Sequence, residues 1–340
     1  MTWSHMQTPL ATDTFATKHT KCKCGGAFIW MWGILLLSLL TVRSEATRVR
    51  VASYNLQNYL VMDRMVEGDY QLDYPKPEVE KAALREVVLS AQPDVLAIQE
   101  IGGELFLQEF QADLAAYGLE YPYVALGAGE DSVRYLAVLS KIPFAQVERH
   151  QDLKFKYFGR RMGIKRGLLE VVFGEGDAVW TLYVVHLKSR WTNDQRDPRS
   201  QMWRVKEAES IRDWLLQRYE DDVHAAPLLL VGDLNDTKGS STLRRFLRIS
   251  DRSLLRMLPA VDSRGEYWTY HYRKEDRYER VDYLLASTPM WQRQVQGSAT
   301  IVDVLPASRI GSDHRLLYAD FIIQNLPEPL APRHETETSN

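Results

Sequence analysis

The chain has 340 residues, 45% of them hydrophobic and 26% charged, a composition that excludes a disordered or low-complexity protein and suits a globular one. Its formal net charge of −3 excludes the global basic field of a tight, non-specific nucleic-acid binder, although a local basic groove stays open. Both cysteines, Cys22 and Cys24, lie near the N-terminus, which excludes a disulfide framework for the bulk of the chain.

The first segment of note is the apolar run Ala27 to Val42, preceded by Lys18, Lys21 and Lys23 and followed by Ser44-Glu45-Ala46. Basic, apolar, then small-x-small is the order of a secretory signal. The run falls short of the roughly 20 residues of a spanning helix, so a cleaved leader outranks a membrane anchor. Residues 1–46 are expected to be a signal peptide cut after Ala46, with Met6 and Met31 as alternative starts. The mature protein is then expected to be secreted or periplasmic, to begin at Thr47 and to rely on packing alone.

From residue 48 onward, β-branched and apolar runs alternate with helical patterns. Strands are predicted at Val49 to Leu56, Val95 to Gln99, Leu136 to Ser140, Leu168 to Phe173, Trp180 to His186, Leu228 to Leu234, Val281 to Ala286 and Tyr318 to Ile323. A helix is predicted over Pro77 to Ala91, with proline at its start and Val79, Ala83 and Val87 as its apolar face. A second is predicted over residues 199 to 219, with Met202, Val205, Ala208, Ile211 and Leu215 inward and Arg204, Lys206, Glu209 and Arg212 elsewhere. This mixture predicts one layered α/β domain over residues 47–325. Residues 326–340 continue a Pro- and Glu-rich stretch and are expected to be a disordered tail.

Several strand ends carry chemistry in place of ordinary turn residues. Val51-Ala52-Ser53-Tyr54-Asn55 ends in an amide, Val95 to Glu100 in a carboxylate, Tyr183-Val184-Val185-His186 in an imidazole and Leu229 to Asn235 in an Asp-x-Asn pair. Arg280-Val281-Asp282 sets an acid at the entry of an apolar strand, and Ser312-Asp313-His314 an acid beside a histidine. Singly, each suits a cap, a turn or a structural histidine. Together, Asn55, Glu100 and Asp313 supply the oxygen donors that a hard cation such as Mg2+ prefers. No cysteine or paired-histidine spacing among them points to zinc. Asp233 is placed to polarise a water, with Asn235 on the same strand face to fix it or a phosphate. His314, oriented and charged by Asp282, suits an anionic phosphate, as does a hydrogen bond from His186.

Asn55, Ile98-Gln99-Glu100, His186-Leu187-Lys188-Ser189, Gly232-Asp233-Leu234-Asn235-Asp236, Val281-Asp282-Tyr283 and Ser312-Asp313-His314 together resemble the ordered motif series of the endonuclease/exonuclease/phosphatase superfamily, over about residues 48 to 324. The resemblance implies a four-layer α/β/β/α sandwich of two mixed sheets with outer helices, its site at one edge. It implies Asn55, Glu100 and Asp313 at a Mg2+ ion, with Mn2+ or Ca2+ as alternatives. Asp233 and Asn235 would position the water, Asp282 would orient His314, and His186 would bind the scissile phosphate.

The abasic-site repair branch has an amide where this chain has His186, and the inositol polyphosphate phosphatases a Trp-Cys-Asp-Arg segment where it has Tyr278 to Asp282. Those departures point toward secreted nuclease-like, sphingomyelinase-like and phosphatase branches. Arg160, Arg161, Lys165 and Arg166 form one basic cluster, and Lys188, Arg190, Arg196 and Arg199 another. Substrate contact is expected from Arg134, Arg166 and Lys188. Trp268, Tyr270, His271 and Tyr272 could dip into a bilayer or stack on a nucleic-acid strand, or simply pack as a hairpin. The expectation is a monomeric, metal-dependent phosphodiester hydrolase, a secreted endonuclease acting on nucleic acid with no protein partner. The alternatives are a sphingomyelinase-like enzyme on membrane lipid, a small-molecule phosphodiesterase or phosphatase, and an inactive binding protein on the same fold.

Overall fold

The computed structural model describes residues 46–220 and 222–324; the expected tail, and the expected leader up to residue 45, lie outside the described residues. The predicted strands are all present, four of them longer, two unchanged and two shorter by one residue: Ala46–Tyr59, Val95–Ile101, Tyr135–Ser140, Leu168–Phe173, Trp180–His186, Leu228–Asp233, Asp282–Ala286 and Leu317–Gln324. They form two six-stranded sheets. In the first the spatial order is Thr300–Ile301, Leu317–Gln324, Ala46–Tyr59, Val95–Ile101, Tyr135–Ser140, Tyr123–Leu126. The second runs Arg256–Met257, Asp282–Ala286, Leu228–Asp233, Trp180–His186, Leu168–Phe173, Phe144–His150. Each is mixed: Ala46–Tyr59 pairs in parallel with Val95–Ile101, and Trp180–His186 with Leu228–Asp233, while their other neighbours are antiparallel.

Period-two alternation explains the layers, because successive side chains leave a strand on opposite faces. Val49, Val51, Val95 and Ala97 of the first sheet meet Leu182, Val184, Leu229 and Val231 of the second in one apolar core. The intervening residues Ala52, Tyr54, Leu96 and Ile98 face outward onto helix α1 (Glu78–Ala91) and helix α2 (Glu104–Ala116). On the far side, Tyr183, Val185, Leu228 and Leu230 face helix α3 (Gln201–Arg218) and helix α4 (Ser241–Leu247). The result is the α/β/β/α sandwich, with each fully buried Leu, Val or Phe contributing roughly 1.5–3 kcal/mol before entropy is counted.

The helix faces differ from the sequence reading. Val79 is 65% exposed and Met202 43% exposed, both in the first turn of their helices. The α1 face is Ala83, Leu84, Val87, Val88 and Ala91. Arg204, expected outside, is buried because its Nη1 donates to the backbone oxygens of Lys188 and Arg199. Helix α2 was not among the predicted elements, although Leu107, Phe110 and Leu114 have helical spacing and are buried. No helix among the described residues is long and apolar enough to cross a membrane.

Candidate active site

Register places the polar strand ends together. In the second sheet His186 pairs with Asp233, and Asp233 with Asp282, so three functional groups stand side by side on adjacent strands. Gly232 makes that alignment close: at φ 132 a Cβ there would meet the Val185 carbonyl oxygen at 2.0 Å. In the first sheet Asn55 pairs with Gln99, and the ladder is then interrupted on both sides of Val95–Ile101. At those breaks Gln57, Asn58 and Glu100 adopt left-handed φ of 49, 58 and 65°, and Asn235 does so at 51° across the site. Left-handed backbone at non-glycine residues is costly and gathers where a side chain must be re-aimed. Here it turns Glu100 into the cleft.

Asn55, fully buried, bridges the two sheets: its Nδ2 donates to Glu100 Oε1 at 3.3 Å and to Asp233 Oδ2 at 3.2 Å. Asn58 N donates to Glu100 Oε2 at 2.9 Å, and Gln57 Oε1 accepts from Asp313 N at 2.9 Å. Ser312 Oγ donates to the Asn55 carbonyl at 2.8 Å, which fixes the Asp313-His314 segment against the first strand. Asn235 donates through N and Nδ2 to Asp233, at 2.7 and 3.0 Å. His314 Nδ1 is 2.8 Å from Asp282 Oδ2, and its Nε2 faces Asp233 at 3.9 Å. His186 Nε2 lies 3.5 Å from Asp233 and 3.7 Å from Glu100.

The electrostatics follow from this crowding. Burial disfavours a charged His314, but the Asp282 and Asp233 carboxylates outweigh it and raise its pKa well above the ordinary imidazole value. Burial, reinforced by Arg166, His314, Arg134 and Lys188, holds His186 well below that value, so it is the neutral imidazole. Burial raises Asp233, aided by the Asp282 and Glu100 charges against the pull of His314. Asp313 is likewise raised by burial and by Glu100. Among the described residues, the ion-pair partners of Glu100, Asp233, Asp282 and Asp313 within 4.0 Å are imidazoles alone. Converging carboxylates without a Lys or Arg counter-charge fit a divalent cation, and Glu100 and Asp313 provide oxygen donors of the kind Mg2+ takes; Asn55, the expected third donor, turns its Nδ2 to the carboxylates while its Oδ1 accepts the Gln57 N–H at 2.9 Å.

Beside this cluster opens a cavity of about 590 Å3 whose charged lining is Arg134, Lys165, Arg166 and Lys188 against the carboxylates Glu100, Glu130 and Asp131, with Asn58 among its polar residues. Arg134 Nε donates to Asn58 Oδ1 at 2.7 Å. Arg166 is buried, yet its Nε and Nη1 have no hydrogen-bond partner, Nε lying 3.3 Å from Asp131 Oδ2 without alignment. The structure thus brings all three expected substrate contacts to one wall. Lys165 joins them there, but the rest of the two basic clusters is not gathered. Arg160, Arg161 and Arg199 are exposed, Arg196 pairs with Asp194, and Arg190 pairs with Glu279. The aromatic segment forms a packed hairpin, Tyr270–Tyr272 against Arg277–Glu279, with Tyr270 4.8 Å from the His314 ring and Arg315 over Trp268.

Gln57, Asn58 and Ser312 were not singled out in the sequence, and their signal was only adjacency to Asn55 and Asp313. Lys165, read as one of a charge run, stands in the cavity.

The pattern of the Endonuclease/Exonuclease/phosphatase family matches residues 52–314. The chain belongs to the endonuclease/exonuclease/phosphatase family. Membership of this family carries hydrolysis of phosphoester bonds with a divalent metal ion. No curated protein sequence matches the chain. The family fold recurs in solved structures. The human nocturnin catalytic domain with bound sulfate anion is 18% identical with a TM-score of 0.54, over 82% of this chain and 95% of that one. A family protein from Bacteroides vulgatus is 16% identical at 0.54, over 83% and 100%. Sphingomyelinase C from Streptomyces griseocarneus is 16% identical at 0.52, over 81% and 99%. At these identities the likeness is one of fold.

Proposed function

We propose that the protein is an exported, divalent-cation-dependent phosphodiesterase that cuts nucleic acid by in-line attack of water. The observation that carries this reading is the pairing of a carboxylate cluster lacking Lys or Arg counter-charge with a cationic cavity at its rim. One side suits a cation, the other a polyanion. Glu100 and Asp313 would hold the cation, with Asn55 bracing Glu100 against Asp233, and the cation when bound supplies charge withdrawal from the scissile phosphate. Asp233, with a raised pKa and held by Asn235, orients the attacking water and takes its proton. His314, kept cationic by Asp282, donates through Nε2 to the phosphate as charge builds. Neutral His186 donates a further hydrogen bond, and Arg134, Arg166 and Lys188 bind flanking phosphate.

A lipid substrate is the second reading, and a particular feature favours it. The hairpin Met62–Val66 and Asp69–Tyr74 exposes Met65, Tyr70 and Leu72, and it is tied to the site rim because Arg64 Nη2 donates to the Asn58 carbonyl at 3.0 Å. The deciding experiment is hydrolysis of plasmid DNA, RNA, sphingomyelin vesicles and bis-p-nitrophenyl phosphate, with Mg2+ and with chelator, beside Asp233→Ala. Metal-dependent nicking of nucleic acid, lost in the variant, supports the nuclease; cleavage of lipid alone transfers the protein to the second reading. Export is tested by sequencing the mature N-terminus, expected at Thr47, the second residue of the first strand.

A further inference from the structure

Glu207 lies on α3 with its side chain fully buried and outside the carboxylate cluster. Its Oε1 accepts the Lys165 backbone N–H and the Trp203 Nε1–H, both at 3.0 Å. Its Oε2 accepts the Lys188 backbone N–H at 2.7 Å. Among the described residues no Lys, Arg or His stands within 4.0 Å as an ion pair. Burying a carboxylate on neutral donors alone is expensive, and burial raises the Glu207 pKa against the pull of the Lys165 and Lys188 N–H groups, so a purely structural role would be filled more cheaply by an uncharged residue. The donor count explains the choice. Neutral N–H groups converge on both oxygens, and an amide in its place would turn an NH2 against one of them.

The two backbone donors belong to the loops that carry the cavity's cations. One loop holds Lys165 and Arg166 ahead of Leu168–Phe173; the other holds Lys188 just beyond Trp180–His186. These like charges repel each other: burial and then the Arg166 guanidinium bring the Lys188 ammonium down to about 8, and Glu207 is the charge that opposes them.

We propose that Glu207 is a positioning residue that clips these two loops together, so that Arg166, Lys165 and Lys188 converge on one subsite for a second phosphate beside the scissile one. This rests on the phosphodiesterase reading above and narrows it to substrates with adjacent phosphates. A single-phosphate diester would gain nothing from the subsite.

The test is calorimetric titration of the full chain with inorganic pyrophosphate in chelator, where no turnover occurs. Wild type should bind, Arg166→Ala and Glu207→Gln should each weaken binding at least about tenfold, and the double variant should be no weaker than the worse single. Glu207→Asp, which keeps the charge, should recover part of the loss. It also serves should Glu207→Gln fail to fold, an undiminished affinity in Glu207→Asp then counting against the proposal. With bis-p-nitrophenyl phosphate and Mg2+, Glu207→Gln should keep kcat within about threefold, since no group of the carboxylate cluster is touched. Absence of pyrophosphate binding by wild type, unchanged binding in Glu207→Gln, additive losses, or a collapse of kcat would each overturn the proposal. Pyrophosphate binding by a chain that hydrolyses no diester would instead sink the phosphodiesterase reading and leave the subsite standing.

Discussion

His314 illustrates how single residues are set for work. A fully buried imidazole would ordinarily be neutral, yet Asp282 at 2.8 Å and Asp233 beyond it keep this one charged. Removing the ring in His314→Ala should cut turnover by at least about 10²-fold while circular dichroism stays native. Asp282→Asn should cost a comparable factor through loss of charge and orientation, without raising KM. Near-normal kcat in both would take the pair out of the mechanism. These residues were legible in the sequence because each is a polar group at the border of an apolar run. Gln57, Asn58 and Glu207 were not, since each gets its role from partners brought in by the fold. Asn58 and Glu100 meet across a bulge, and a glutamate in mid-helix looks like a solvated face until two distant loops are seen to converge on it.

At the scale of elements, alternation along strands carried nearly all that could be read. The eight central segments have uninterrupted apolar faces, whereas the edge strand Phe144–His150 is half polar and gave no such signal. Part of its polar character is a brace: His150 Nε2 lies 2.7 Å from buried Glu170 on the adjacent strand, and Arg218 of α3 reaches the same carboxylate at 3.2 Å. Burial would raise the Glu170 pKa, but His150 and Arg218 prevail and lower it. A carboxyl lowered on folding contributes stability that is complete above its unfolded value near 4.5 and lost as pH falls below it toward the folded value. Glu170→Gln should therefore destabilise the protein by about 1–3 kcal/mol at neutral pH and flatten the acid limb of a stability-versus-pH curve from urea melts. An unchanged acid limb would show that the brace is not coupled to folding. Two strands further into the same sheet, Gly232→Ala should cost more than about 3 kcal/mol, because the Val185 carbonyl leaves no room for a methyl. A melt within about 1 kcal/mol of wild type would refute that.

For the whole molecule, the site is a seam between the two halves of the sandwich. Asn55, Glu100 and Asp313 come from the first sheet and its approach, and His186, Asp233 and Asp282 from the second. Without a cation, folding must bury these carboxylates and press them together, and the raised pKa values of Asp233 and Asp313 record first the burial and then the repulsion. A cation that binds only the assembled seam must then stabilise the entire fold, by about 2.7 kcal/mol at a hundredfold excess over its Kd. For a domain of this size that is a rise of several degrees in Tm, measurable by thermal denaturation in Mg2+ or Mn2+ against chelator. Asp313→Asn should show the opposite balance. It removes a buried charge from beside Glu100, so its Tm in chelator should equal or exceed that of wild type, and it should lose most of the cation-dependent rise. If wild type melts at the same temperature with and without the ions, the seam binds no cation. If the variant melts far below wild type in chelator, this carboxylate is a structural ligand of the protein itself and the repulsion argument fails.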